Sequence, residues 1–270
     1  MEKPKISVCV PTMNVDPWWF RKTVESAHAG ATEGHHEFLV FSNCHTRRTE
    51  DIIAELSEMG ANVRLVGASP NNEGVAIAVN ECAAAAAADF VGYTDDDRVF
   101  LPGWDKVLLD RWTGHEKDYL YLTSRAIEPT GTNPCMVAPH DFGRTEKTFD
   151  EAALLAFWEG LPKQDVVSCA GPPFMSAWLW KNVGYMDAGY WPGFGTDPDL
   201  AIRVHCAGQA AGTRTIFVGL GGFGTYHGQC ISTAKVRTDG ASIAAHIRFK
   251  QKWGCTTREF AARINDGMPL

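Results

Sequence analysis

Three consecutive carboxylates, Asp95, Asp96 and Asp97, close the apolar run Phe90-Val-Gly-Tyr-Thr94. Aromatic and β-branched residues in that run predict a short buried strand. Three like charges at one strand end repel one another unless a divalent cation or several hydrogen bonds compensate them. In open α/β sheets the carboxyl ends of strands are where ligands bind. The triplet therefore points to a metal ion and a phosphorylated ligand, weighed against the plainer reading of a solvated acidic turn.

Other polar groups fall at equivalent places. Pro11-Thr12-Met13-Asn14 follows a strand-like Ile6–Val10, and Ser42-Asn43-Cys44 follows Glu37–Phe41. Asn72-Glu73-Gly74 opens a helical stretch that carries Ala78 and Asn80, with Asn72 also suited to helix capping. If the sheet is parallel, all of these gather beside the aspartates.

The elements that must position them alternate strand and helix. Helices are expected at Pro17–His28, with Asp16 as N-cap, at Thr49–Met59 and at Gly74–Ala88; a third strand is expected at Asn62–Val66. This βαβαβαβ order implies parallel strands with helices on both faces. The second half is less regular. Helices are expected at Gly103–Arg111, Asp150–Trp158 and Asp199–Ala207, the last capped by Asp199 and closed by Gly208. Strands are expected at Leu120–Ala126, Phe174–Ala177 and Thr215–Val218, and residues 128–150 read as a long loop.

The 270 residues carry a net charge of −7, with 45% hydrophobic and 21% charged residues, which fits an ordinary globular chain and disfavours a general nucleic-acid binder. Charge is uneven: residues 231–260 hold Lys235, Arg237, Arg248, Lys250, Lys252 and Arg258 against Asp239 and Glu259, a balance suited to a local anion such as pyrophosphate. The eight scattered cysteines form no Cys-x-x-Cys pair. No signal peptide and no run of about 20 apolar residues is seen, so a cytoplasmic protein with free thiols is expected.

Five segments, in order, carry a resemblance. Val8-Cys-Val-Pro-Thr-Met-Asn14, Asn72-x-Gly74-x-x-x-Ala78-x-Asn80, Thr94-Asp-Asp-Asp97 with Leu101-Pro-Gly-Trp104, Trp180-x-x-Val-Gly-Tyr-Met-Asp187 and Gly195-Thr-Asp-Pro-Asp-Leu-Ala-Ile-Arg203 together resemble the family 2 glycosyltransferases of the GT-A fold. The resemblance spans residues 6 to about 228. It implies an α/β fold: a Rossmann-like mixed sheet with helices on both faces, in one domain of two fused lobes. Residues 1–100 would bind the donor and 101–228 the acceptor, with 229–270 as a helical extension.

The resemblance also implies the roles. The donor would be a nucleoside-diphosphate sugar, a UDP-sugar foremost, held with Mn²⁺ or Mg²⁺. Asp95 and Asp97 would ligate the metal with His227, and the imidazole favours Mn²⁺. Pro11, Thr12, Asn14, Asn43, Asn72, Gly74, Asp95 and Asp96 would surround the donor, and Lys252 would close over its pyrophosphate. Asp197 would be the general base of an inverting transfer to a glycan or another hydroxyl. Trp191 and Gly171 would face that acceptor.

The chain departs from the family pattern in three places. Ser42 replaces an acidic residue that reads uracil, so the base is left open; Thr196 replaces a Glu before the base; and the Cys44–Arg48 turn is unusually basic. Other classes remain beside the leading one: sugar transfer onto a modified DNA base, a nucleotidyltransferase, or a non-catalytic sugar-nucleotide binder. A Rossmann dehydrogenase is disfavoured, because no Gly-x-Gly-x-x-Gly follows the first strand.

Overall fold

The computed structural model describes residues 3–13, 15–131, 136–229 and 239–265. Asn14, Lys235 and Arg237 therefore lie outside the described residues. Eight strands form one sheet, in the order β3-β2-β1-β4-β7-β6-β8-β5. They are β1 (Ile6–Thr12), β2 (His36–Ser42), β3 (Val63–Ala68), β4 (Phe90–Tyr93), β5 (Arg98–Phe100), β6 (Leu120–Ile127), β7 (Phe174–Ser176) and β8 (Ile216–His227). The first four are mutually parallel, β7 runs antiparallel to β4 and β6, and β8 is parallel to β6 but antiparallel to β5. The expected mixed sheet is present.

Helices α1 (Pro17–Ala29), α2 (Arg47–Glu58) and α4 (Trp104–Trp112) cover one face. The other face packs against α3 (Val75–Ala84), α6 (Ala177–Asn182), α7 (Thr196–Ala210), α8 (Asp239–Trp253) and α9 (Thr257–Asn265). The period-2 alternation of strand side chains explains both layers. Ile6, Val8 and Val10 of β1 join Phe38 and Val40 of β2 in the first core, while Cys9, Leu39 and Phe41 point into the second. A smaller cluster packs α5 (Glu151–Gly160) through Leu154 and Trp158 against Trp19, Ile127 and Tyr226. No helix among the described residues is long and apolar enough to cross a membrane.

Several boundaries differ from expectation for identifiable reasons. Pro11 does not stop β1, which continues to Thr12. The pairing with β4 ends at Cys9 opposite Tyr93, so the missing N–H of Pro11 costs no ladder bond on that side. The alanine run does not stay helical to Ala88. The side chains of Glu37 and Ser7 take the N–H groups of Ala87 (2.6 Å) and Ala88 (3.0 Å), ending α3 at Ala84.

Glycines behave differently from expectation at two places. Gly208 lies inside α7 rather than closing it, because a Cβ there would meet Thr215 Oγ1 at 2.5 Å; it is a packing glycine. The strand expected at Thr215–Val218 begins at Ile216 and runs on through a glycine-rich stretch to His227, where a Cβ on Gly224 would meet the Trp158 ring at 2.6 Å. Asp199 is not the cap of α7: the helix starts at Thr196 after Gly195 and buries Asp199 in its first turn. Strand β5, directly after the triplet, was not anticipated.

Candidate active site

The parallel register delivers the first half of the site. Cys9 lies opposite Tyr93 and Thr12 opposite Ser42, so the ends of β1, β2 and β4 stand side by side. Thr12 Oγ1 donates to Asp96 Oδ2 at 2.6 Å, tying the β1 turn to the middle carboxylate. Asp96 and Asp97 are buried, and Asp95 is partly exposed.

Strand β5 delivers the second half. It pairs antiparallel with the end of β8, setting Arg98 opposite His227. The Gly228 N–H donates to the Asp97 carbonyl at 2.8 Å. His227 Nε2 thereby comes within 3.3 Å of Asp97 Oδ1 and 4.0 Å of Asp95 Oδ2. One ligand atom from each of Asp95, Asp97 and His227 falls within 4.8 Å of the others. Two carboxylates and an imidazole converging in this way fit a divalent cation, and the mixed oxygen and nitrogen donors suit Mn²⁺ better than Mg²⁺.

The charges around that cluster are organised. The buried Arg98 guanidinium donates from Nε to Asp95 Oδ2 at 2.8 Å. Burial works against its charge, but Asp95 and Glu128 outweigh it and raise its pKa. His227 Nδ1 lies 2.9 Å from Glu128 Oε1. Burial and Arg98 pull the His227 pKa down, yet Asp97 and Glu128 prevail and lift it to about 9. Burial would raise Glu128, but the hydrogen bond and charge of His227 keep it below its ordinary value.

A cavity of about 220 Å³ joins this cluster to Asp197. Its wall includes Pro11, Thr12, Asn43 and Asn72 from the strand ends, the triplet, His227, and Pro192 to Phe194 before α7. Asp197 stands in the first turn of α7, where Tyr93 donates a short hydrogen bond to its Oδ1. Burial raises its pKa to about 6, with Asp95 adding repulsion while Tyr93 and Arg98 oppose.

The remaining expected residues fall as follows. Gly74 caps α3 with φ 90° and packs on Trp191 and Pro192, behind the cavity wall. Trp191 is 53% exposed, its indole N–H donating to the Asn72 carbonyl at 2.9 Å. Gly171 sits at φ 87° in the segment before β7 and does not line the cavity. Lys252 does not line it either: its ammonium pairs with Asp187 Oδ2 (2.8 Å) and Asp199 Oδ1 (2.7 Å). Ser42 is fully buried against Thr49, so it does not stand in for the missing acidic residue. Arg47 and Arg48 are exposed.

Sequence reasoning missed Tyr93, Arg98 and Glu128. The first two flank the triplet, and that adjacency was a usable signal. Glu128 carried none. Asn80, part of the helix signature, brackets Met186 with hydrogen bonds of 2.8 and 2.9 Å and so holds the turn after α6 against α3.

Three aspartates at a parallel strand end, a histidine from the far strand and a carboxylate with a raised pKa meet around one cavity, a set of groups able to hold a divalent cation and to move a proton, on a sheet of the GT-A type. The glycosyl transferase family 2 model matches residues 7–152, more than half of the chain, and the chain belongs to that family of sugar-transfer enzymes. Solved structures share its fold. Staphylococcus aureus TarS is 17% identical with a TM-score of 0.59, over 83% of this chain and 36% of that one. GalNAc-T7, solved with UDP, GalNAc and Mn²⁺, is 13% identical with a TM-score of 0.64, over 99% of this chain and 52% of that one. TarS residues 1–349 in complex with UDP-GlcNAc is 14% identical with a TM-score of 0.63, over 96% of this chain and 71% of that one. The chain thus spans about a third to a half of the first two. No curated protein sequence matches it.

Proposed function

We propose that this chain moves a sugar from a nucleoside-diphosphate donor to an acceptor hydroxyl, with inversion and with a divalent cation. The observation that carries the reading is that one cavity joins the Asp95–Asp97–His227 cluster to Asp197. The cation, held by Asp95, Asp97 and His227, would neutralise charge on the departing diphosphate. Thr12 fixes Asp96 for contact with the ribose or sugar, and Asn43 and Asn72 complete the donor wall.

Asp197 takes the proton of the acceptor hydroxyl as its oxygen attacks the anomeric carbon. The bond from that carbon to the diphosphate oxygen breaks, and the electron pair leaves with the nucleoside diphosphate. A carboxylate with a pKa near 6 is still ionised at neutral pH and is a stronger base than an ordinary aspartate. Tyr93 holds the carboxylate in place. The exposed Trp191 ring, pinned by its N–H beside the cavity wall, offers an aromatic face to the acceptor. The fold relatives solved with UDP or UDP-GlcNAc favour uridine as the base.

The test is release of UDP from a panel of UDP-sugars with Mn²⁺ present, in the parent and in Asp197→Asn. Mn²⁺-dependent release by the parent that Asp197→Asn loses supports the reading. No release by the parent from any nucleotide-sugar counts against it.

A further inference from the structure

One buried carboxylate at the site has no task in the reaction above. Glu128 lies just past the end of β6 and is 8% exposed. Its backbone is fixed on both sides: its N–H donates to the Val137 carbonyl at 3.0 Å, and its carbonyl accepts from the His140 N–H at 2.8 Å. Its side chain is fixed as well. Oε2 accepts from Gln229 Nε2 at 3.1 Å, and Gln229 Oε1 accepts from the Thr130 N–H and hydroxyl at 3.0 and 2.7 Å. Oε1 is thereby aimed at His227 Nδ1, 2.9 Å away.

A carboxylate only accepts hydrogen bonds, so Nδ1 of His227 must carry the proton of that contact. The other ring nitrogen, Nε2, is the one that faces Asp97 Oδ1 at 3.3 Å. We propose that Glu128 is a positioning residue that fixes the tautomer and ring rotation of His227, presenting the Nε2 lone pair to a divalent cation shared with Asp95 and Asp97. The inference rests on the metal-site reading given above. Such an outer carboxylate also makes the imidazole a stronger donor, and removing one typically costs about 10- to 100-fold in metal affinity. If Glu128 served only to tie the segment after β6 to the end of β8, its loss would lower thermal stability and leave metal affinity alone.

Mn²⁺ titrations of the full chain, read from the free-ion electron paramagnetic resonance signal, separate these cases. They compare the parent with Glu128→Ala, Glu128→Gln and Asp97→Asn. Asp97→Asn should lose binding, and Glu128→Ala should weaken it by about 10- to 100-fold. Glu128→Gln keeps the shape and an amide oxygen that can accept from Nδ1, so it should weaken binding less than the alanine variant. In the metal-free protein at a pH high enough to leave the imidazole neutral, ¹⁵N shifts should report mainly the Nδ1–H tautomer of His227 in the parent and a mixture in Glu128→Ala. Equal Mn²⁺ affinity in the parent and both Glu128 variants, with Asp97→Asn still defective, overturns the role of Glu128 and leaves the metal site standing. If the parent takes up no Mn²⁺, the metal-site reading itself falls, and the Glu128 proposal with it.

Discussion

Asp197 and Asp199 share the first turn of α7 and meet opposite fates. Asp199 is fully buried and neutralised: Arg203 Nε donates to Oδ2 at 2.9 Å, while Trp253 Nε1 (2.9 Å) and Lys252 Nζ (2.7 Å) reach Oδ1. Asp197 faces the cavity with a tyrosine hydroxyl and a repelling carboxylate for company. The first is a fixed anchor. The second is a carboxylate held in an unfavourable charge state two residues away in the same helical turn.

The raised pKa gives Asp197 a pH signature. A general base must be ionised, so kcat/KM should rise with pH through about 6 and level off above it. Tyr93 opposes the rise in pKa, so Tyr93→Phe should move that limb to higher pH. Asp197→Asn should cut turnover by roughly 10²- to 10⁴-fold with donor affinity retained. pH–rate profiles and donor titrations check all three.

The same residue should weaken the fold. Its folded pKa lies above the unfolded value, so the folded protein binds the extra proton between about 4 and 6, and stability falls as pH rises through that window. Asp197→Asn should therefore raise Tm at pH 7, with the gain vanishing below pH 4. An unchanged Tm at pH 7 would show that the carboxylate is not strained.

The anchor makes the converse prediction. Arg203 also donates to the Val183 carbonyl, so Arg203→Met removes one partner of a buried ion pair and a link to the end of α6. Denaturant unfolding should show a loss of about 3 kcal/mol. The first turn of α7 should loosen with it, lowering kcat more than donor affinity. Helix α8 reaches the first turn of α7 through the contacts of Lys252 and Trp253 with Asp199.

Away from the site, Asp105 in the first turn of α4 is fully buried. It accepts from Thr32 N (2.9 Å), Glu33 N (2.7 Å) and His36 Nε2 (2.8 Å). Burial would raise its pKa, but those bonds hold it well below the usual carboxylate range. A depressed pKa contributes stability above the unfolded value near 4 that is lost as pH falls further. Asp105→Asn should cost on the order of 3 kcal/mol at pH 7 and progressively less toward pH 2. Chemical denaturation across that range measures it.

The strand-end side of the site was readable because its logic is local. A strand, a turn and a carboxylate are consecutive in sequence, and parallel pairing puts every such turn at one end of the sheet. The strand positions of β1, β2 and β4 and the triplet could be read for that reason. His227 was expected from the family pattern, but what brings it to Asp97 is the pairing of β5 with β8, between segments more than a hundred residues apart. A three-residue strand next to a charged triplet carries no periodicity, and the glycines of β8 mimic a loop. Glu128 lacked even that: its role comes from hydrogen bonds to residues about a hundred positions away. Lys252, expected over the pyrophosphate because it is a basic residue in a basic segment, pairs instead with the half-buried Asp187 and the buried Asp199.

Isothermal titration of UDP into the protein, with Mn²⁺ and then with EDTA, asks whether the aspartate cluster binds a nucleoside diphosphate through a divalent cation. Binding should require Mn²⁺ in the parent, vanish in Asp97→Asn and persist in Asp197→Asn. UDP binding that is equally strong with EDTA and in Asp97→Asn, or none at all with Mn²⁺ present, would mean that the cluster holds no metal-bridged diphosphate.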